Sequence, residues 1–344
     1  PALPPRAADG PLPDRRGEDG DAVIIFTSGT TSRPRAVVHT RSGLAAAMQA
    51  VTGLVQPQPD RPVLGGTFFV LVPTLASGAP VALPARSARV LARQIPRLKP
   101  QASYLTPPQL RALLAESPRL TGAFYSGSAP VSANLLARTR QAGASRAWGV
   151  YALTEMFPAA AVEATEKAAF TEDGDLVGTP LPGVRTRIDA EGQLLLTGPG
   201  RSDRYLGEEP HEWVATGDVA RLSGERVVLA GRCKDMILRE AENIYPGLYE
   251  PALHIPGVNL AVLVGVPAGD GDERLVAVVE PEPGVDPQRL RTDLAPVLDR
   301  MGSARPDAVH FGPVPTSGRS RKPDRTATAK MAAAMLAGWR PPRG

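Results

Sequence analysis

Ala22-Val-Ile-Ile-Phe26 runs directly into Thr27-Ser-Gly-Thr-Thr-Ser-Arg-Pro-Arg35, and this junction is the most informative stretch of the sequence. The apolar run predicts a strand. The segment after it is rich in hydroxyl groups and can wrap phosphate oxygens with backbone N–H groups, and Gly29 permits a close backbone approach. It is not a Walker-type loop, because the Gly-Lys-Ser/Thr ending is missing. Taken alone, the stretch is equally typical of an ordinary turn between two strands.

Apolar runs alternate with helical patterns after this loop, which predicts α/β layers with buried, largely parallel strands. Ser87 is a plausible N-cap and Pro96 a plausible stop for one of the helices. The predicted helices are Gly43–Val55, Ser87–Ile95, Pro108–Glu116 and Ser132–Ala142. The predicted strands are Ala22–Phe26, Thr67–Val72, Ser103–Leu105, Gly122–Ser126 and Arg146–Val150.

The rest of the chain changes character twice, which predicts further subdomains. From Gly192 it reads as strand–turn–strand pieces rich in Gly and Pro, and after Arg232 as helix, two strands, helix, strand, helix. We therefore predict an α/β fold with a large N-terminal domain of layered α/β subdomains plus a β-rich subdomain. A small mobile α+β C-terminal domain follows. The predicted divisions are a loose leader over 1–21, an N-terminal domain over 22–232, a hinge at 232–235 and a C-terminal lid over 235–344.

Composition narrows the class of protein. The chain has 344 residues, a net charge of +4 and one cysteine, Cys233. One cysteine excludes an intramolecular disulfide framework and suits a reducing cytoplasm. No apolar run approaches the roughly 18 residues of a membrane span, and no aromatic-plus-basic module indicates nucleic-acid binding. The prediction is a cytoplasmic protein with no membrane span and no nucleic-acid partner.

Further motifs follow the loop in a fixed order, and together they resemble one family. They are Phe124-Tyr-Ser-Gly-Ser-Ala-Pro130, Tyr151-Ala-Leu-Thr-Glu155, Gly192-Gln-Leu-Leu-Leu-Thr-Gly-Pro-Gly200 with Arg204-Tyr-Leu-Gly207, Thr216-Gly-Asp218, Gly231-Arg-Cys-Lys-Asp-Met-Ile237 and Glu242-Asn-Ile-Tyr-Pro246. The set resembles the AMP-forming acyl-adenylating superfamily of acyl-CoA synthetases, peptide-synthetase adenylation domains and luciferases. One such match is weak evidence. Seven matches in the family's order, counting the phosphate loop, favour the family over a chance set of ordinary turns and strand ends.

The resemblance implies a role for each motif residue. Thr154 would contact the α-phosphate, Glu155 would hold Mg²⁺, and Lys234 would be the hinge pivot. The metal prefers carboxylate oxygen and neutralises charge as pyrophosphate leaves. The other expected nucleotide-binding residues are Thr27, Ser28, Gly29, Thr30 and Thr31 for the phosphates, Gly127, Ser128, Ala129 and Tyr151 for adenine, Asp218 for ribose, and Arg232 nearby.

The catalytic lysine that the family places near its C-terminus has two candidate positions here. In Pro315-Thr-Ser-Gly-Arg-Ser-Arg-Lys-Pro-Asp-Arg325, the Ser-Gly-Arg phrase puts Arg319 there, and the Lys-Pro-Asp-Arg phrase puts Lys322 there. We favour Lys322. A cation in a solvated loop is the ordinary alternative for either residue.

Several departures bear on the second half-reaction and on the substrate. Ser32 and Arg35 replace the usual Gly and Lys of the phosphate loop, and Ala241 and Leu238 replace the Gly and Lys that the family places near an incoming thiol. The chain is also short ahead of the loop. Thr67–Val72 carries no acid to pair with an α-amine, which favours a plain organic or fatty acid over an amino acid. His39 and His211 lie beside motifs but form no triad, and we interpret both as ordinary polar positions.

Three functions remain open on these residues. The first is an acid–thiol ligase of natural-product or fatty-acid metabolism that uses ATP and Mg²⁺ to make acyl-AMP from a carboxylic acid. It would then pass the acyl group to CoA or to an acyl or peptidyl carrier protein. The second is an adenylating β-lactone synthetase with intramolecular capture, because Thr154-Glu-Met-Phe-Pro-Ala-Ala resembles a phrase of those enzymes. The third is a catalytically dead binding or regulatory paralogue.

Overall fold

The computed structural model describes residues 19–27, 35–269, 271–318 and 321–338. In chain order, the first half comprises β1 (Asp21–Phe26), β2 (Ala36–Thr40), α1 (Arg41–Val55), β3 (Val63–Leu64), α2 (Phe68–Ala76), β4 (Val81–Ala82), α3 (Ala88–Leu98), β5 (Ala102–Leu105), α4 (Pro107–Ala115), β6 (Ala123–Gly127), α5 (Ala133–Gln141) and β7 (Arg146–Tyr151). The middle comprises β8 (Ala160–Glu163), α6 (Ala164–Ala169), β9 (Asp175–Pro180), β10 (Arg185–Ile188), β11 (Gln193–Thr197), β12 (Arg204–Tyr205), β13 (Val214–Ser223) and β14 (Arg226–Arg232). The last part comprises β15 (Ile237–Arg239), β16 (Glu242–Ile244), α7 (Glu250–Leu253), β17 (Val258–Gly269), β18 (Asp272–Pro281), α8 (Pro287–Asp299), β19 (Ala308–Phe311), β20 (Thr316–Ser317), β21 (Lys322–Pro323) and α9 (Arg325–Gly338).

An eleven-stranded sheet forms the frame of the molecule, in the order β10-β11-β13-β14-β9-β8-β7-β6-β5-β3-β4. Strands β3 to β7 pair in parallel, and the pairs from β7 to β10 are antiparallel. The parallel part is buried on both faces, with one core around Phe124 and Leu105 and another around Tyr104 and Tyr125. The strand ends β6 and β7 therefore bring two predicted motifs side by side.

Local sequence explains where the predicted helices begin. The Thr40 side chain accepts the Gly43 N–H at the start of α1, and the Ser132 side chain accepts the Leu135 N–H at the start of α5. Such caps satisfy N–H groups that the first helical turn leaves without partners. Ser87 occupies the N-cap position of α3 without a side-chain hydrogen bond.

Two predictions about these elements are wrong. The segment Thr67–Val72 is not a strand, because Phe68–Ala76 forms helix α2. Its buried positions Val70, Pro73 and Thr74 have helical spacing, and a short apolar run cannot distinguish helix from strand by periodicity alone. Pro96 does not stop α3, which continues to Leu98. Pro96 lacks the N–H that would donate to the Ala92 carbonyl, and the helix continues for only two residues beyond it.

A small sheet carries the predicted phosphate loop. Strands β1 and β2 pair as an antiparallel hairpin, and β12 pairs with the other edge of β2. The hairpin continues to the ends of the loop, because the Thr27 N–H donates to the Arg35 carbonyl at 2.9 Å. Residues 28–34, between these two, lie outside the described residues.

The last part of the chain surrounds a three-stranded sheet in the order β17-β18-β19. One core packs α8 residues Leu290 and Leu294 against Leu263 and Ala277, and another contains Val264 and Ala332 of α9. The β15–β16 hairpin precedes this unit, and the β20–β21 hairpin lies just before α9. The predicted alternation of helices and strands holds here, with the β15–β16 hairpin added.

Candidate active site

Asp218 lies at the centre of the candidate site. It is on β13, and its side chain is 5% exposed. Tyr151, at the end of β7, donates its hydroxyl to Asp218 Oδ2 at 2.5 Å, and Arg232 Nε lies 2.6 Å from Oδ1. Burial raises the pKa of Asp218, and the charge of Arg232 opposes that shift. Burial also raises the pKa of Tyr151, as does its carboxylate neighbour, so the phenol keeps its proton and remains a donor.

Two hydrogen bonds of the Thr216 side chain fix the β13 segment that carries this aspartate. The Asp218 N–H donates to Thr216 Oγ1 at 3.0 Å, and that hydroxyl donates to the Leu194 carbonyl at 2.8 Å. Between them, Gly217 has φ +71°, a left-handed conformation that favours glycine. Thr216-Gly-Asp218 is therefore an irregular part of β13, where the pairing with β11 shifts register, and it presents a carboxylate.

Glu155 is half-buried beside a second group of residues. Tyr205 of β12 donates its hydroxyl to Glu155 Oε1 at 2.8 Å. Above the Tyr205 ring, the Arg35 guanidinium carbon lies 3.2 Å from the ring centroid. Arg35 Nη2 also donates to both carboxylate oxygens of Glu208, at 2.9 and 3.0 Å. A chain of contacts thus connects the end of the phosphate loop with the predicted metal ligand.

The predicted adenine wall lies at the end of β6. Ser128 has φ +73°, and its hydroxyl lies 3.1 Å from the Tyr104 hydroxyl. A Cβ at Gly127 would approach the Val150 carbonyl to 2.6 Å, so only glycine fits this strand end. Ala129 follows in the loop before α5. The segment therefore lies beside β7, which ends at Tyr151.

The predicted phosphate loop is described only at its ends. Thr27 is described, and its hydroxyl accepts the Arg35 N–H at 3.2 Å. The predictions for Ser28, Gly29, Thr30 and Thr31 lie outside the described residues, as does the alternative lysine position Arg319.

Lys322 approaches the Asp218 group from the C-terminal part of the chain. It is an exposed residue of β21, paired with Ser317. Desolvation of its ammonium lowers its pKa, as do the nearby charges of Arg232 and Lys234, and the charge of Asp218 acts in the opposite direction. Lys322 is therefore close enough to Asp218 and to Lys234 for their charges to affect its own.

Two histidines have more specific roles than the sequence indicated. His39 is fully buried on β2, and its Nε2 is 2.9 Å from the Thr154 carbonyl. His211 Nε2 lies 3.0 Å from the Ser202 hydroxyl, and the Ser202 N–H donates to the Glu155 carbonyl at 2.7 Å. Both histidines thus support the backbone around Thr154 and Glu155. Their positions beside motifs were the one available signal.

A family model for AMP-binding enzymes matches residues 4–206, more than half of the chain. The chain belongs to the AMP-binding enzyme family. This confirms the predicted membership of the adenylate-forming superfamily. Within the described ranges, no helix is long and apolar enough to cross a membrane, and no group of three or more His, Cys, Asp or Glu residues could hold a metal ion.

The chain is similar to enzymes that attach acids to CoA or to a carrier protein, as two examples show. It is 29% identical over 357 residues to a feruloyl-CoA synthase of Amycolatopsis sp., covering 92% of this chain and 71% of that protein. It is 30% identical to the fatty acid–[acyl-carrier-protein] ligase ScoC of Streptomyces coeruleorubidus, covering 84% of this chain and 63% of that protein.

Solved structures show the same α/β fold. The amide bond synthetase McbA of Marinactinospora thermotolerans superposes with a TM-score of 0.78 at 26% identity, covering 96% of this chain and 72% of that one. The predicted fold class is confirmed by this similarity. The relatives support acid adenylation as the family's chemistry, and they differ in the acceptor of the acyl group.

Proposed function

We propose that this enzyme uses ATP and Mg²⁺ to convert a carboxylic acid into an acyl-AMP. One observation carries the proposal: the buried Asp218 carboxylate contacts Arg232 Nε at 2.6 Å through one oxygen and the Tyr151 hydroxyl at 2.5 Å through the other, so that three separate motifs meet there. Lys322 of β21 is close enough for the charges of Asp218 and Arg232 to affect it. This grouping of a carboxylate, an aromatic ring and two cations suits a nucleotide with a charged reaction centre.

The residues present fit ATP and Mg²⁺. Asp218 accepts one hydrogen bond at each oxygen, and a carboxylate oxygen has room for a second, so ribose hydroxyls could still bind. Glu155 is held through Oε1, and its carboxylate is the kind of ligand Mg²⁺ prefers. When bound, Mg²⁺ neutralises phosphate charge as pyrophosphate departs.

The residues of the chain then act by holding the two substrates in place and by stabilising the negative charge between them. The acid's carboxylate attacks the α-phosphorus, the bond to pyrophosphate breaks, and pyrophosphate carries away the electron pair. Lys322 would stabilise the negative charge between the two substrates, and Asp218 with Tyr151 would hold the nucleoside. Proteins catalyse phosphoryl and nucleotidyl transfer mainly in this way.

We propose that the C-terminal part then turns about Lys234 and transfers the acyl group to a thiol, of CoA or a carrier protein. The domain divisions at 22–232 and 235–344 are part of this proposal. Arg325 supports it, because the guanidinium contacts Asp235, the last residue of the predicted hinge, at 3.2 Å and both oxygens of Glu250. The hinge and the base of the Lys322 hairpin would therefore move together.

If the acyl group of the acid binds in the small apolar cavity of this enzyme, that group carries no charge. The cavity lies beside the predicted adenine wall, has a volume of about 20 Å³, and is lined by Val51, Val63, Val70, Tyr104, Tyr125 and Phe157, among others, with no charged side chain. A space of this size holds little more than one water, so a larger acid must displace side chains. A charged substituent would be left without a partner here, at high cost.

Pyrophosphate release across a panel of carboxylic acids, with and without CoA, tests the proposal. We expect pyrophosphate release that depends on ATP, on Mg²⁺ and on one class of carboxylic acid with an uncharged, apolar acyl group. A thioester should form when CoA or a carrier protein is present. Acyl-AMP without thioester would instead indicate an amine acceptor or capture by an internal hydroxyl. A protein that binds no ATP in calorimetry would be a binding or regulatory paralogue.

A further inference from the structure

Arg35 does not simply replace the phosphate-loop lysine in this chain. Its guanidinium carbon lies over the Tyr205 ring, 3.2 Å from the centroid, and its Nη2 donates to both oxygens of Glu208. Planar stacking with simultaneous carboxylate binding is a capability of arginine that lysine lacks. The residue is thus fixed between a ring and a carboxylate.

The contacts continue to the predicted metal ligand. The Tyr205 hydroxyl donates to Glu155 Oε1 at 2.8 Å. An ionised carboxylate can only accept hydrogen bonds, so the Tyr205 hydroxyl is the donor to Glu155. That hydrogen bond constrains the direction of the carboxylate.

We propose that Arg35, Glu208 and Tyr205 form a positioning relay that orients Glu155 for the metal. This rests on the proposed function, because it assigns the relay to the Mg²⁺ of that reaction. None of the three touches the reacting atoms; each acts through Glu155. Groups that orient a metal ligand set its affinity for the metal.

The relay contributes little to the stability of the fold. The Arg35 and Glu208 side chains are 48% and 57% exposed, and exposed ion pairs of this kind contribute little to stability. Their effect is to hold the guanidinium over the ring. The expected consequence of breaking the relay is therefore weaker metal binding in a folded protein.

The test measures Mg²⁺ affinity of the protein–ATP complex by calorimetry, without acid, so that no reaction occurs. Tyr205→Phe keeps the ring and removes the hydroxyl, and it should weaken Mg²⁺ binding about tenfold or more. Arg35→Lys and Glu208→Gln should weaken it less. Adding Arg35→Lys to Tyr205→Phe should cause no further loss, because both act through one hydrogen bond.

Arg221→Lys is the matched control. Arg221 pairs with Glu172 at 2.7 Å with side-chain exposures of 42% and 47%, similar to the Arg35–Glu208 pair. It should leave Mg²⁺ affinity unchanged. If Tyr205→Phe fails to fold, Glu208→Gln at the exposed end tests the same relay.

Two outcomes would overturn the relay while leaving the proposed function standing. One is wild-type Mg²⁺ affinity in Tyr205→Phe and Glu208→Gln. The other is an Arg35→Lys variant that loses ATP affinity in EDTA with unchanged Mg²⁺ affinity, which would make Arg35 a phosphate ligand. A wild-type protein that binds no ATP would overturn the proposed function and the relay together.

Discussion

Asp218 and Tyr151 stand 67 positions apart in the chain, yet their side chains share one short hydrogen bond. Each belongs to a motif that the sequence marks for the nucleotide. The structure adds that the two motifs are physically coupled and that Arg232 completes the group from the neighbouring strand β14. A change at any one of the three must alter the other two.

Asp218→Ala should weaken ATP binding by about 1.5–3 kcal/mol for each ribose hydrogen bond lost to a charged acceptor. Tyr151→Phe is the comparison. It keeps the aromatic ring and leaves the Asp218 carboxylate in place, so it should weaken ATP binding less. Calorimetric titration with ATP measures both. Unchanged affinity in Asp218→Ala would remove this residue from the ribose site.

At the same scale, the relay residues show where sequence reasoning stops. Glu155 belongs to a recognisable motif, whereas Tyr205 lies in a segment that resembles a structural phrase of the family. The contact between them spans 50 positions, and no local pattern encodes a pairing of that range. The role of His39 was not predictable either. Its partner is 115 positions away and is the backbone carbonyl of Thr154, which no side-chain pattern marks.

At the scale of elements, local pattern succeeds where burial and caps agree. Helices α1, α4 and α5 and strands β5 to β7 lie close to their predicted bounds. Thr67–Val72 fails because a continuous apolar run satisfies helix and strand equally. The loop between β1 and β2 was located from its strand and its hydroxyl residues, and its interior lies outside the described residues.

The β15–β16 hairpin carries a testable strain. Its two turn residues, Glu240 and Ala241, have φ of +51° and +64°, and a side chain costs about 1–2 kcal/mol in this region. Ala241→Gly should therefore raise the free energy of unfolding by about 0.5–1 kcal/mol after the greater backbone freedom of glycine is subtracted. Chemical denaturation measures the change, and thioester formation should stay equal or become faster.

Ala45→Gly is the control for that change. Ala45 is exposed in α1, where glycine should lower stability by about 1 kcal/mol. If both substitutions lower stability, the left-handed turn at Ala241 is not strained as described.

At the scale of the whole molecule, three buried or half-buried histidines give the fold a common pH dependence. Burial lowers the pKa of His39, His211 and His254. His254 shows why: the Ala261 N–H donates to Nε2 at 3.2 Å, and Nδ1 donates to the Glu250 carbonyl at 2.8 Å. Only the neutral ring can make both bonds.

The unfolded chain therefore binds more protons than the folded chain as the pH falls below the ordinary histidine value of 6.5, and stability decreases there. We expect a lower unfolding temperature at pH 5.5 than at pH 7.5, measured by calorimetry. His254→Asn should lower stability at both values and flatten the difference between them. An unfolding temperature that rises on acidification across this window would contradict the assignment of neutral histidines.

The proposed function depends on one step, the formation of an acyl-AMP with Lys322 at the reacting charge. Acid-dependent exchange of labelled pyrophosphate into ATP tests it most directly, in the wild type, Lys322→Ala and Arg319→Ala. We predict exchange in the wild type and near-complete loss in Lys322→Ala with ATP affinity nearly intact, because the lysine acts mainly in the transition state. Arg319→Ala should be mild. Severe loss in Arg319→Ala with normal exchange in Lys322→Ala would contradict the role assigned to Lys322. The absence of acid-dependent exchange in the wild type would contradict acyl-AMP formation itself.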